Sequence, residues 1–427
     1  MEQIFREIVE IMHYDYAGCI DKEGWDHPEA YFEKIQLLKE NNMLTREHFA
    51  DTVRDYLLDF QDHHIYFVDS LAEKRKPLDR GFRVRRYKDC LYVTGANNEQ
   101  DVKMGMAFIS LGGFTIPELK EKHSRLLKAN HPEREDWMPI LSLYEYGDIQ
   151  DEQGNVCKIT FNSYEKPGYT PDYNVEKVNQ DTLLFTITDF ADPDAIVKLV
   201  NDNRDLLASA DQWIIDVRVN YGGSDSSYYP LMPYIMPEEG VELADREDTM
   251  LFNCTHSNAG RFLAETLPEL EGIQGEEAQQ FLKVFIREWE KNKGKGFVEF
   301  DFEDIVPDTF VKGTKNPKSV AVLSDYMCGS SGDSFVELCK KSSKVRVIGR
   351  PTKGLNDYAN LISKKWDNGF EFMYPTSRLS RIDRGMGMTG KGIEPDLYVP
   401  WTPEHLERDA DLEKALEWLA LEKSTAR

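Results

Sequence analysis

The chain has 427 residues, is 41% apolar, and carries 76 acidic against 52 basic side chains, a formal charge of −24. That length suffices for two or three domains with cores of their own. The charge argues against nucleic acid or an anionic membrane as main partner, because phosphates would be repelled, and no run approaches the ~20 continuous apolar residues of a membrane span.

The N-terminus, Met1-Glu2-Gln3-Ile4-Phe5-Arg6-Glu7, lacks the basic start, apolar run and small-residue site of a signal peptide. Up to about residue 75 the pattern is helical: Ile4, Ile8, Ile11 and Met12 recur at helical spacing, as do Phe49, Val53, Tyr56, Leu57 and Phe60. Pro28 and Thr45 are helix starts. After the second helix comes Asp62-His63-His64-Ile65-Tyr66-Phe67. A basic linker around Pro77 opens a second region, 76–175, where Gly81-Phe82-Arg83-Val84 and Cys90-Leu91-Tyr92-Val93 alternate like strands and a helix starts at Pro117.

The third region, 176–427, alternates strand and helix. Leu183 to Ile187 reads as a strand, and Asp192-Pro193 opens a helix carrying Ile196, Val197, Leu199, Val200, Leu206 and Leu207. The strand at Trp213 runs through Asp216, Arg218 and Asn220 into Gly222-Gly223. A charged, helical insertion at about 238–312, including a helix from Gln279 to Glu290, interrupts the alternation. The strand Val320 to Leu323 leads into Cys328-Gly329-Ser330-Ser331-Gly332-Asp333-Ser334-Phe335, and a strand Val345 to Ile348 leads into Gly349-Arg350-Pro351-Thr352-Lys353-Gly354. Gly390-Lys391-Gly392-Ile393-Glu394-Pro395-Asp396 follows, and Leu406, Leu412, Leu416 and Leu419 form one face of a terminal helix. Such alternation predicts a parallel sheet covered by helices.

The turn at Ser330 carries the chemistry. A Gly-flanked strand-to-helix turn lifts a hydroxyl out of the backbone and aims free helix N-terminal amides beside it. A nucleophilic serine needs both, because its hydroxyl is weak and the oxyanion it creates must be stabilised. Gly-Ser turns are common, however, and most are plain helix caps.

The blocks at 213–224, 328–335, 349–354 and 390–396, in this order, resemble the C-terminal-processing (tail-specific) serine peptidases, and within them the tricorn-like branch. The resemblance implies a Clp-protease/crotonase-like α/β core of parallel strand-strand-helix units, joined to an N-terminal helical region. The order of elements in 76–175 resembles a PDZ-like domain. The peptidase resemblance implies hydrolysis of peptides or unfolded proteins, with Ser330 as nucleophile and no metal or cofactor. The oxyanion hole falls to the amides of Gly222, Gly223 and Ser331. Asp216, Arg218 and Asn220 are expected to brace the turn, and Asp333 to cap the helix.

The base is less direct. Many relatives carry a lysine twenty-five residues after the serine, where this chain has Leu355; Lys353 lies two residues earlier and would share a strand face with it. The tricorn-like branch uses a histidine at the end of a D-x-H segment, which places the base at His64. His63 would point the other way on a strand. Where relatives carry a glutamate to orient the histidine, this chain has Thr389; Asp383 and Asp62 are the candidate substitutes. In a PDZ-like domain Arg80-Gly81-Phe82 would cradle a substrate C-terminus, helped by the basic run from Lys74 to Lys88. The other reading of the chain is a peptidase-fold protein without turnover that binds peptides or apolar ligands. Six cysteines without CxxC spacing read as reduced thiols and point to the cytoplasm. The sequence contains no signal for an oligomeric state.

Overall fold

In the computed structural model, residues 1–72, 78–97, 101–129, 131–166, 168–244, 248–270, 276–305 and 309–425 are described. The chain divides into two compact units, each drawn from three stretches: Met1–Lys74, Ala244–Thr309 and Leu355–Thr389 form one, and Arg75–Leu243, Phe310–Gly354 and Gly390–Arg427 the other.

The second unit holds the parallel sheet. Thr182–Ile187, Gln212–Asp216, Ser319–Ser324, Val345–Gly349 and Leu397–Tyr398 run parallel in that order, and Tyr173–Lys177 adds an antiparallel edge. The runs are continuously apolar because both faces are covered. Trp213, Ile215, Val320 and Val322 point into one core cluster, whereas Ile214, Ala321 and Leu323 point into another, as the period of two requires. The helices Pro193–Asp202 and Ser331–Cys339 cover the first face. Asp192 opens the former by accepting the Ala195 N–H at 3.1 Å.

The helix Ala410–Thr425 covers the second face with Ala415 and Leu419. It starts later than the leucine spacing predicts, because Asp409 accepts the Leu412 N–H at 3.0 Å and caps it. Leu406 belongs instead to a separate 3₁₀ turn, Pro403–Leu406.

The same unit contains an antiparallel sheet of Phe82–Tyr87, Cys90–Ala96, Ala107–Leu111, Tyr146–Gln150 and Val156–Thr160. The helix Ile116–Lys122, opened by a Thr115–Glu118 capping box, packs Ile116 and Leu119 against Phe82, Phe108 and Ile149. Of the basic run, residues 74–77 lie outside the described residues.

In the first unit, the helices Glu2–Glu10, Pro28–Glu40 and Arg46–Leu57 bury Ile4, Ile8, Phe49, Val53 and Tyr56 in one cluster with Phe252, Trp289, Phe300 and Phe372. Thr45 caps the third helix through the His48 N–H at 3.1 Å. The expected insertion helix runs from Glu276 to Asn292, but the segment is not only helical. Met250–Cys254 pairs with Gly296–Glu299 and with Phe370–Leu379, which also pairs with Tyr66–Asp69 and Tyr358–Lys365. Among the described residues no helix is long and apolar enough to cross a membrane.

Candidate active site

Ser330 stands beyond the C-terminal end of the central parallel strand Ser319–Ser324, where α/β sheets place their ligands. The neighbouring strand Gln212–Asp216 continues the same way, and short extensions Val219–Asn220 and Met327–Cys328 pair in parallel. That pairing brings Gly222 against Ser330. A β-carbon on Gly222 would lie 2.6 Å from Ser330 Cβ and 3.1 Å from its Oγ. Only a residue without a side chain leaves room for the hydroxyl.

Ser330 itself has φ 59° and ψ −124°. A β-carbon disfavours this region, at a cost on the order of 1–3 kcal/mol, and residues are held there where a side chain must be aimed. The clamp is Asp333, which is fully buried. Its Oδ2 accepts the Ser330 N–H at 2.8 Å and its Oδ1 the Gly354 N–H at 2.8 Å. The expected helix cap is therefore also the residue that joins the serine turn to the 349–354 loop. Arg134 holds that loop from its other side, donating to the carbonyls of Thr352 at 2.6 Å and Lys353 at 2.7 Å.

Two of the three expected oxyanion amides, those of Gly223 and Ser331, are left without a partner among the described residues. The Ser331 hydroxyl fixes their spacing by donating to the Gly223 carbonyl at 2.8 Å. Gly222 is a correction: its N–H already donates to Asn220 Oδ1 at 3.0 Å, so its part is steric. Asn220, fully buried, also donates to the Ile187 carbonyl at 3.0 Å, and Arg218 pairs with Asp216 at 2.7 Å, so both brace the turn as expected. Cys328, two residues before the serine, is no rival nucleophile, since burial pushes its thiol well above the usual value.

His64 lies in the other unit, in a turn rather than a strand, so the alternation argument for His63 does not apply. His64 is buried and His63 half-buried. The His64 N–H donates to Asp62 Oδ1 at 2.8 Å, and the ring Nδ1 lies 2.7 Å from the Tyr358 carbonyl. A carbonyl only accepts, so Nδ1 carries the proton and Nε2 presents its lone pair.

Among the described residues no carboxylate takes the orienting position on the ring. Asp62 spends Oδ1 on backbone and Oδ2 on the Tyr16 hydroxyl at 2.6 Å. Asp383 pairs with Arg378 at 2.6 Å. Thr389 donates both its hydroxyl and its N–H to Asp357 at 2.7 Å. The Tyr358 carbonyl had no signature in the sequence, because every residue has one.

Two other expectations change. Lys353 lies in a loop, so the shared-strand-face argument fails; burial pushes its ammonium below the usual lysine value. Arg80, Gly81 and Phe82 do not form an open cradle. The Arg80 guanidinium is buried on the carbonyls of Ser142 and Tyr144, the Gly81 N–H donates to Asp79 at 2.6 Å, and Phe82 is core. Arg83, Arg85 and Arg86 are spent on Asp79, Asp325 and Glu135. Among the described residues no group of three or more His, Cys, Asp or Glu side chains could hold a metal ion.

The family model of peptidase family S41 matches residues 181–399, more than half of the chain. The chain belongs to peptidase family S41. It is a serine peptidase, and its parallel core is the Clp/crotonase-like fold of that family. Among solved structures, mature CPAF is similar to this S41 peptidase over 97% of this chain and 95% of that one, at 14% identity and TM-score 0.66. Mature CPAF complexed with lactacystin is similar over 97% and 96%, at 13% identity and TM-score 0.65. These are likenesses of fold. No curated protein matches this S41 peptidase.

Proposed function

We propose that the chain is a serine endopeptidase of peptides or unfolded proteins, with Ser330 as nucleophile and His64 as base. The observation that carries this reading is the serine held at φ 59° beside two amides, those of Gly223 and Ser331, that have no acceptor among the described residues. As Oγ attacks the scissile carbonyl, its proton passes to His64 Nε2 and the two N–H groups receive the oxyanion. Collapse breaks the C–N bond, the imidazolium protonates the leaving amine, and water repeats the cycle to free Ser330. Each amide contributes about 3 kcal/mol in the transition state.

A fluorophosphonate probe tests the assignment. Covalent labelling of Ser330, abolished by Ser330→Ala and by His64→Ala, is the expected result. Labelling that survives His64→Ala but not Lys353→Ala transfers the base to the lysine. A well-folded protein that takes no label is instead a peptidase-fold binding protein.

The region 76–175 is read as a PDZ-like module that recruits substrate C-termini. The support is its antiparallel sheet with the capped helix Ile116–Lys122. Since Arg80 and Gly81 are occupied, a carboxylate would bind elsewhere on the module. Peptides with a free C-terminus should then be cleaved faster than their amidated twins; equal rates reject the recruitment reading. Six free thiols suit a cytoplasmic enzyme, which cell fractionation would check.

A further inference from the structure

The two groups bonded to His64, Asp62 at its backbone N–H and the Tyr358 carbonyl at its ring, lead to one buried lysine. Lys22 is 3% exposed. Its Nζ donates to the Tyr16 hydroxyl at 2.8 Å, and that hydroxyl donates to Asp62 Oδ2 at 2.6 Å. Nζ stands 4.0 Å from Asp62 Oδ2 itself. The other oxygen of Asp62 accepts the His64 N–H. On its far side, Nζ lies 4.4 Å from the centroid of the Tyr358 ring, and the Tyr358 carbonyl takes the imidazole proton.

An ammonium in such a place is expensive, because burying a charge costs several kcal/mol unless it is paired. Burial indeed depresses the Lys22 ammonium, against the pull of Asp62, Asp357 and Asp21. Apolar side chains of similar volume often stabilise a core as well as a buried ion pair does. Stability alone is therefore a poor reason for a lysine here, and its contacts suggest another.

We propose that Lys22 is a positioning residue for His64. Through Tyr16 and Asp62 it fixes the backbone of the histidine. Through the Tyr358 ring it fixes the carbonyl that selects the tautomer. Together these contacts replace the carboxylate that normally orients a catalytic imidazole. The inference rests on the reading of His64 as base.

The charges around the cluster give the idea a signature. Asp62 faces Lys22 from the histidine's own segment, Asp21 from the N-terminal segment, and Asp357 from the turn before Tyr358. Arg378 is paired with Asp21 at 2.8 Å. A cation near the ring opposes the imidazolium, and an anion favours it.

The test uses the full chain carrying Lys22→Met, Lys22→Arg, Asp62→Asn or Tyr16→Phe, with kcat, KM and pH profiles on a fluorogenic peptide and a melting temperature for each. Lys22→Met should lower kcat about tenfold or more, the scale of a displaced general base, with KM within about twofold. The acid limb of kcat/KM should move to higher pH in Lys22→Met and to lower pH in Asp62→Asn, and Lys22→Arg should recover part of kcat. A Lys22→Met protein that melts like the parent with unchanged kcat and unchanged acid limb overturns the proposal. Should Lys22→Met fail to fold, Tyr16→Phe decides: it cuts the link to Asp62, and a parental kcat there is equally fatal. If His64→Ala still labels, the base assignment itself has failed; if His64→Ala is dead while the Lys22 and Tyr16 variants are parental, only the role of Lys22 has.

Discussion

A methyl group added at Gly222 or at Gly223 would meet different neighbours. On Gly222 it would meet Ser330 Cβ at 2.6 Å, whereas on Gly223 it would meet the backbone of Phe190 at 2.2 Å. Gly222→Ala should lose about 1–2 kcal/mol for its positive φ, and more for the approach of the new methyl group to the Gly329 carbonyl at 2.9 Å. It should cut fluorophosphonate labelling of Ser330 roughly a hundredfold, the usual effect of misplacing a reacting group by about 1 Å. Labelling at the parental rate would contradict the steric account. Asp333→Ala strands two buried amides, those of Ser330 and Gly354. Denaturant titration should show a loss of about 1–3 kcal/mol for each stranded N–H, with a larger fractional loss of labelling than of stability. Asp333→Asn keeps one acceptor oxygen and should fall between. At this scale the serine and the glycines were legible because their residue types carry the chemistry. The acceptors were not: a carbonyl at Tyr358 or a side-chain oxygen at Asn220 acts by position.

The terminal helix Ala410–Thr425 is tied down by charge as well as by Ala415 and Leu419. Asp411, fully buried, accepts from Arg350 at 2.9 Å and lies 3.1 Å from Arg218, which also pairs with Asp409 at 2.7 Å. Burial pushes the Asp411 carboxyl up, but hydrogen bonds from His405 and Arg350 and the two guanidinium charges outweigh it and hold it well below the usual range. A depressed carboxylate stabilises the fold above its unfolded pKa of about 3.9 and loses that contribution as pH falls through the folded value. Asp411→Asn should cost about 1–3 kcal/mol at neutral pH, because Arg218 keeps Asp216 and Asp409 and Arg350 keeps Asp325 while each loses one charged partner. The gap to the parent should narrow below about pH 4, where the unfolded carboxylate takes up a proton that the folded one still refuses. Urea titrations at both pH values check it, and a gap independent of pH would show that packing, not charge, holds the helix. The strands and helices of this core were readable because apolar periodicity is local. Leu406 was misplaced because the Asp409 cap overrides a leucine spacing that spans it.

Over the whole molecule the charge of −24 acts at long range. Cationic peptides should be cleaved with higher kcat/KM than acidic ones of matched apolar content. That advantage should shrink as salt rises from about 0.01 M to about 0.15 M and the screening length falls from about 30 to about 8 Å. Equal salt dependence for both peptides would show that the site sees only its neighbours. The sequence by itself determined the parallel core, the serine turn and the double-glycine turn, since each is a run of adjacent residues whose pattern states its own geometry. Only the tertiary structure decided that residues 1–74, 244–309 and 355–389 share one unit. It alone showed a lysine at 22 behind the histidine at 64 and a carbonyl at 358 in front of it. Burying an apolar face requires a partner but does not name one, and a buried charge reveals its purpose only through the groups packed around it.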